Sequence, residues 1–267
     1  GYTLASCLFL ALLAVAAAKD FVKMVHSNEV ALSVNEDVDW LEAVVQGDSI
    51  VVNTKSNETG EVRSAYVYCT SGPRKDSVLV VQGESKDILG DYYFAGQNTK
   101  GKLIYILGNL AKGKTANTLK LSFPALNASM EVPYDEANMS FKFLCGQYLC
   151  DYVEKDEETG DETTSYIYSA LWDTRKGFTW GDSYSMDGII YGDPENGTIV
   201  EFADNGSLSG YNVNAIRFEM FSKKEAVKAN RIGALISFIY PFMQKMKDNN
   251  SASRKTNFVP ANLSIIK

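Results

Sequence analysis

The chain has 267 residues, 26 Lys and Arg against 33 Asp and Glu, a formal net charge of −7, and a 45 % hydrophobic content that is ample for a core. Such acidity argues against nucleic acid or an anionic membrane as a partner for the surface as a whole. The single histidine, His26, excludes zinc sites built on several histidines, metalloprotease helices and two-histidine acid–base pairs.

In chain order, the first element is the uncharged apolar run Leu8 to Val15, followed by Ala16-Ala17-Ala18. It is too short for a membrane span and ends in the small residues that signal peptidase prefers, so residues 1–18 are expected to be a secretory signal peptide. Its removal would discard Cys7 and leave 267 − 18 = 249 residues, expected as a single secreted β-rich domain, 19–267. No second apolar stretch of about 20 residues follows, which predicts a secreted, extracellular protein with no membrane span.

Residues 33–47 (SVNEDVDWLEAVVQG) predict a short helix: Val34, Val38, Leu41 and Val45 recur at helical spacing, acids crowd the first turn and Gly47 can stop it. Strands are then predicted over 49–54, 61–70, 77–83, 91–97, 102–108, 118–123, 139–153, 163–172, 188–192, 198–202 and 214–221, with a closing strand over 258–267. Turn signals about every 8–12 residues between them favour a sandwich or a barrel over βαβ units. Within 222–247, Ile232, Leu235, Ile236, Ile239, Phe242, Met243 and Met246 share one helical face, lysines cover the rest, and Ser222 with Glu225 forms a capping-box pattern. The expected fold is therefore mainly β. It is an antiparallel β-sandwich or barrel with a short N-terminal helix and a long amphipathic C-terminal helix packed on the sheet.

Catalytic patterns are sparse. The triplets Gly47-Asp48-Ser49 and Gly181-Asp182-Ser183 lack the late histidine that a GDS esterase needs, and they read as turns. The acidic run 151–162 lacks the alternating oxygen ligands and sixth-position glycine of a calcium loop, and suits a solvated hairpin tip. No phosphate loop or dinucleotide fingerprint stands between a strand and a helix. The sequence thus predicts no catalytic residues, no metal and no cofactor. Trp172, Trp180, Tyr184 and Tyr191 lie among glycines and aspartates and are candidate binding aromatics.

The mature chain keeps Cys69, Cys145 and Cys150. In an oxidising compartment one structural bridge is expected, and Cys69–Cys150 would close a long loop worth about 4 kcal/mol. Cys145 would be left buried or available as an alternative partner, including to a second chain in a disulfide-linked dimer. Positions 145 and 150 differ by an odd number, so they share a face only if Gly146-Gln147 forms a turn or bulge. Sequons at Asn57, Asn127, Asn138, Asn196, Asn205, Asn249 and Asn262 predict a glycosylated surface.

The Leu8–Ala18 signal, the acidic mature chain, the many sequons and the mid-chain segment FKFLCGQYLC (141–150) together resemble the layout of the secreted immunosuppressant glycoproteins of tick saliva. That resemblance implies a salivary immunomodulator that acts by binding host immune proteins or cells, and it carries no binding residues with it. The expected function is non-enzymatic binding of an extracellular protein partner or small ligand. Alternatives are a lipocalin-like carrier of a hydrophobic or amine ligand, although the usual Gly-x-Trp is absent, and a carbohydrate-binding sandwich.

Overall fold

In TLKLSF (118–123), Leu119, Leu121 and Phe123 are buried while Lys120 points to solvent, the alternation of a half-buried strand. Such strands make up most of the computed structural model, which describes residues 31–34, 38–46, 49–181, 183–247 and 259–261. The expected signal peptide, Cys7, His26, Asn249 and Asn262 lie outside the described residues. The chain divides into two compact units: residues up to 88 with 137–139 and 191–198, and residues 89–136, 140–190 and 199 onward.

The first unit contains two small antiparallel sheets. Strands β1 (Ala31–Val34), β4 (Arg63–Ser71) and β5 (Arg74–Gln82) form one, in the order β1-β4-β5, and β2 (Leu41–Gln46) pairs with β3 (Ser49–Thr54) in the other. Leu41, Ala65, Val67, Cys69, Val78 and Val80 make its core, with Trp40, Ala43, Ile50 and Val52 packed against them. The Arg63 guanidinium lies 4.4 Å from the Trp40 ring centre and donates to Gln82 Oε1 at 2.7 Å. A four-residue helix, α1 (Ser85–Ile88), ends this unit's first segment.

The second unit contains an eight-stranded antiparallel barrel. Its staves are β6 (Gly90–Gln97), β7 (Leu103–Lys112), β8 (Thr118–Phe123), β9 (Ala128–Asp135), β10 (Ser140–Leu144), β14 (Ser185–Asp193), β15 (Gly197–Asp204) and β17 (Arg231–Lys245). Closure falls to β17, which pairs with β15 on one edge and β6 on the other. Residues 191–198, the tip of the β14–β15 hairpin, group with the first unit.

β17 also changes partner along its length. Residues 231–239 pair with β16 (Ala215–Phe221), whose other neighbour is β12 (Glu162–Asp173), followed by β11 (Tyr148–Lys155). The switch coincides with Tyr240 at φ 53 and a break in register between Ile239 and Phe242. A short strand, β13 (Gly177–Thr179), adds to β12, and β18 (Val259–Pro260) runs parallel to β7.

Phenylalanines fill the barrel. Phe94 of β6, with none of its surface exposed, touches Phe123, Phe143, Phe202, Phe218 and Phe238 at centroid distances of 5.3, 6.3, 5.5, 6.5 and 5.0 Å. These are contact distances for tilted and edge-on rings, so no ligand-sized space remains among them.

Both expected helices are corrected. Residues 222–247 contain no helix: Ser222 closes a surface turn by donating its N–H to Asn230 O at 2.8 Å, and Arg231–Lys245 is the closing strand. Every residue from Gly233 to Phe238 is buried, so both faces of this strand are covered and the apolar pattern is continuous. A continuous apolar run carries no period, and helical spacing can then be picked out of it as readily as any other. Isoleucines and aromatics favour strand, and Gly233 and Pro241 disfavour a helix interior; Pro241 falls at the register break of the strand. The expected N-terminal helix over 33–47 is likewise replaced where it is described: Leu41–Gln46 is β2, paired residue for residue with β3. Between the two architectures the sequence left open, the closed barrel is formed.

One charged cluster is buried in the β12–β16–β17 sheet. Glu219, with none of its surface exposed, lies 2.9 Å from Arg217 Nε and accepts a hydrogen bond from Arg231 Nε at 2.8 Å. Burial pushes the Glu219 carboxyl up, against the opposing pull of Arg217 and Arg231.

Replacing Phe94 by Ala is expected to cost about 3–5 kcal/mol in denaturant unfolding, because the five rings around it cannot all close on the void. Leu107→Ala, on the same barrel but 44 % exposed, is expected to stay within about 0.5 kcal/mol. Similar midpoints for both variants would contradict a barrel packed on Phe94.

Candidate functional site

The β7–β8 connection, residues 113–117, is short and tied down. Gly113 N–H donates to Thr118 O at 3.0 Å, Thr115 N–H to Thr118 Oγ1 at 3.1 Å, and Lys114 N–H to Glu131 Oε2 at 3.0 Å. This fixes Lys112 and Lys114 beside the outward face of β8 and β9, where Lys120 and Glu131 are direct cross-strand neighbours. An open groove of about 610 Å³ follows, lined by these residues with Ser129, Gln147 and Tyr148.

The electrostatics of the groove are uneven. Glu131 receives the Lys114 backbone N–H, and among the described residues none of Lys112, Lys114 or Lys120 forms an ion pair with a carboxylate. Three exposed lysines therefore line one concavity with a single acidic residue, Glu131, among them. Tyr148, 45 % exposed, donates its hydroxyl to Asp151 Oδ1 at 2.7 Å. That bond, followed by desolvation, pushes the phenol up to about 12, so it stays a neutral donor.

Tyr148 reaches the groove because the chain breaks just before it. Gly146 adopts φ 76, the register slips between Tyr148 and Cys150, and Gln147 N–H is held by Ser169 Oγ at 3.0 Å. The expected single strand over 139–153 is thus two strands, β10 and β11, and the slip lets Cys145 and Cys150 both be buried despite their odd spacing. Cys69, Cys145 and Cys150 are free thiols here. Burial, with Asp151 nearby, pushes Cys150 up to about 11. A thiol so held is protonated and a poor nucleophile or metal ligand.

The four candidate aromatics are not assembled into one platform. Trp172 is half-buried on β12 with the Arg217 guanidinium 4.6 Å from its ring centre. Trp180 is half-buried against Phe221 and Tyr168 at 5.0 and 5.8 Å. Tyr184 accepts the Cys145 N–H at its carbonyl, and its ring lies so close to Gly181 that a Cβ there would come within 2.5 Å of Cε2. Tyr191 belongs to the first unit. Sequence reasoning missed the groove lysines, which carry no motif, and found Tyr148 only as part of the cysteine segment.

Among the described residues no group of three His, Cys, Asp or Glu could hold a metal ion, and no helix is long and apolar enough to cross a membrane. No protein-family model, curated protein or solved structure matches the chain.

The sequons differ in what their amides do. Asn57 Nδ2 donates to Glu61 O and Gln82 O at 2.8 and 3.3 Å, and Asn205 Nδ2 to Ser185 Oγ and Asp187 Oδ1, both at 2.9 Å. Each uses both amide hydrogens, one of which a glycan would replace. Asn127 and Asn138 are exposed, and Asn196 is half-buried.

Peptide mapping of the protein expressed in a glycosylating host is expected to find Asn127 occupied and Asn57 and Asn205 bare. Glycan on Asn57 or Asn205 would contradict the amide assignment.

Proposed function

We propose that the protein is an extracellular, non-catalytic binding protein that holds an anionic ligand in the groove between the β7–β8 connection and Tyr148. One observation carries this reading: in a chain with a net charge of −7, three lysines converge on one open groove without ion-pairing partners among the described residues. Unpaired ammonium groups on a concave surface focus positive potential locally even where the net charge is negative. Lys114 and Lys120 supply charge, Ser129 and Gln147 supply hydrogen bonds, and Tyr148 supplies a neutral ring edge.

The carrier alternative needs space inside the barrel, and the contacts around Phe94 weigh against it. A flat sugar platform built on Trp172 and Trp180 is disfavoured because both rings are packed on the protein's own side chains. A salivary immunomodulator acting on host proteins or cells would meet its target through this groove.

Titration with a sulfated disaccharide tests the reading. Binding is expected to weaken steeply with salt, and the double variant Lys114→Ala/Lys120→Ala is expected to lose about tenfold in affinity, the equivalent of two partly screened ion pairs. The Lys114 backbone bond to Glu131 survives in that variant, so the loop should hold. Unchanged affinity would refute the groove as the site.

A further inference from the structure

A further cation lies against Tyr148, outside the groove lining. Lys224, exposed in the turn between β16 and β17, places its Nζ 5.9 Å from the Tyr148 ring centre and 5.7 Å from that of Tyr166. Its position is fixed from the backbone, because the Tyr168 hydroxyl donates to Lys224 O. Tyr148 in turn packs edge-on against Tyr168 at 5.5 Å. Among the described residues Lys224 forms no ion pair with a carboxylate.

Resting on the groove reading, we propose that the ligand is a linear anionic polysaccharide that crosses Tyr148, with acid groups on Lys112, Lys114 and Lys120 at one end and on Lys224 at the other. A small anion could occupy the lysine groove alone. Beyond its contacts with Tyr148 and Tyr166, the separate cation could meet the groove ligand only if that ligand were long enough to reach both.

The chemistry between the two ends favours a glycan over a single-stranded nucleic acid. Base stacking needs open ring faces, and Lys224 already sits over Tyr148 and Tyr166 while Tyr168 is enclosed by Tyr148, Trp180 and Phe221. Glu131 and Asp151 lie among the cations as well. Carboxylates accept hydrogen bonds from the hydroxyls that separate acid groups along a polysaccharide, whereas a DNA backbone has no hydroxyl along it to offer them.

A length series of heparin-derived oligosaccharides, from disaccharide to octasaccharide, tests this on the full secreted chain. Wild-type affinity is expected to rise about tenfold or more between the shortest and longest members. Lys224→Ala should abolish that rise while leaving disaccharide affinity unchanged. The neighbouring exposed Lys223→Ala, which makes the same change in net charge, should keep it, and thermal melting checks that both variants are folded. Length-independent binding, or an equal loss in Lys223→Ala, overturns the extended site and leaves the groove reading standing. If an octathymidylate binds as tightly as the octasaccharide, the glycan assignment falls. Failure of every sulfated ligand to bind defeats both readings together.

Discussion

Phe94 is the contact on which the second unit depends. One β6 side chain meets rings from β8, β10, β15, β16 and β17, strands that lie far apart in sequence. An eight-stranded barrel is narrow enough for side chains to fill it, and aromatic rings do so with few residues. With the interior filled around Phe94, the binding we propose is placed on the exterior. On that surface the barrel supplies rigid, register-fixed strands, so Lys120 and Glu131 sit side by side because β8 and β9 pair, and no loop has to close to bring them together.

The long strand β17 links barrel closure to the second feature of this unit. By changing partner from β16 to β15 at Tyr240, it lets one strand belong both to the barrel and to the sheet that continues through β12 and β11. That continuing sheet carries Tyr148, Tyr166 and Tyr168, and its turn at 222–230 carries Lys224. It also holds Glu219 between two arginines, in a place where removing one partner would strand the others. Buried ion networks of this kind contribute little net stability but penalise alternative pairings, which suits a strand with two possible neighbours.

The strand content was legible because most strands are half-buried. Thr118–Phe123 shows a clean alternation and was located to the residue, and the hairpin turning near Gly160 followed from its polar tip. β9 alternates as clearly, with Ala128, Met130, Val132 and Tyr134 buried, yet it is absent from the expected strands, Pro133 within it being a residue that strands disfavour. β17 failed for the opposite reason: buried on both faces from Gly233 to Phe238, it has no polar phase from which a period could be read. The site was the least legible part. Lysines at 112, 114 and 120 look like ordinary solvated charges until the β7–β8 connection and the β8–β9 register bring them to one groove. The odd spacing of Cys145 and Cys150 made a turn or bulge at Gly146-Gln147 the condition for their sharing a face, and the chain does turn at Gly146, with the register slipping between Tyr148 and Cys150.

We place the anionic ligand on the barrel wall and not within the barrel. Hydrogen-exchange mapping of the full chain with and without a heparin-derived octasaccharide tests this placement directly. Added protection is expected to be confined to the backbone around 112–120, 129–131, 147–148 and 222–226, with the amides of Phe94, Phe123 and Phe238 unchanged. Protection centred on those barrel-core amides, with the groove unaffected, would contradict it.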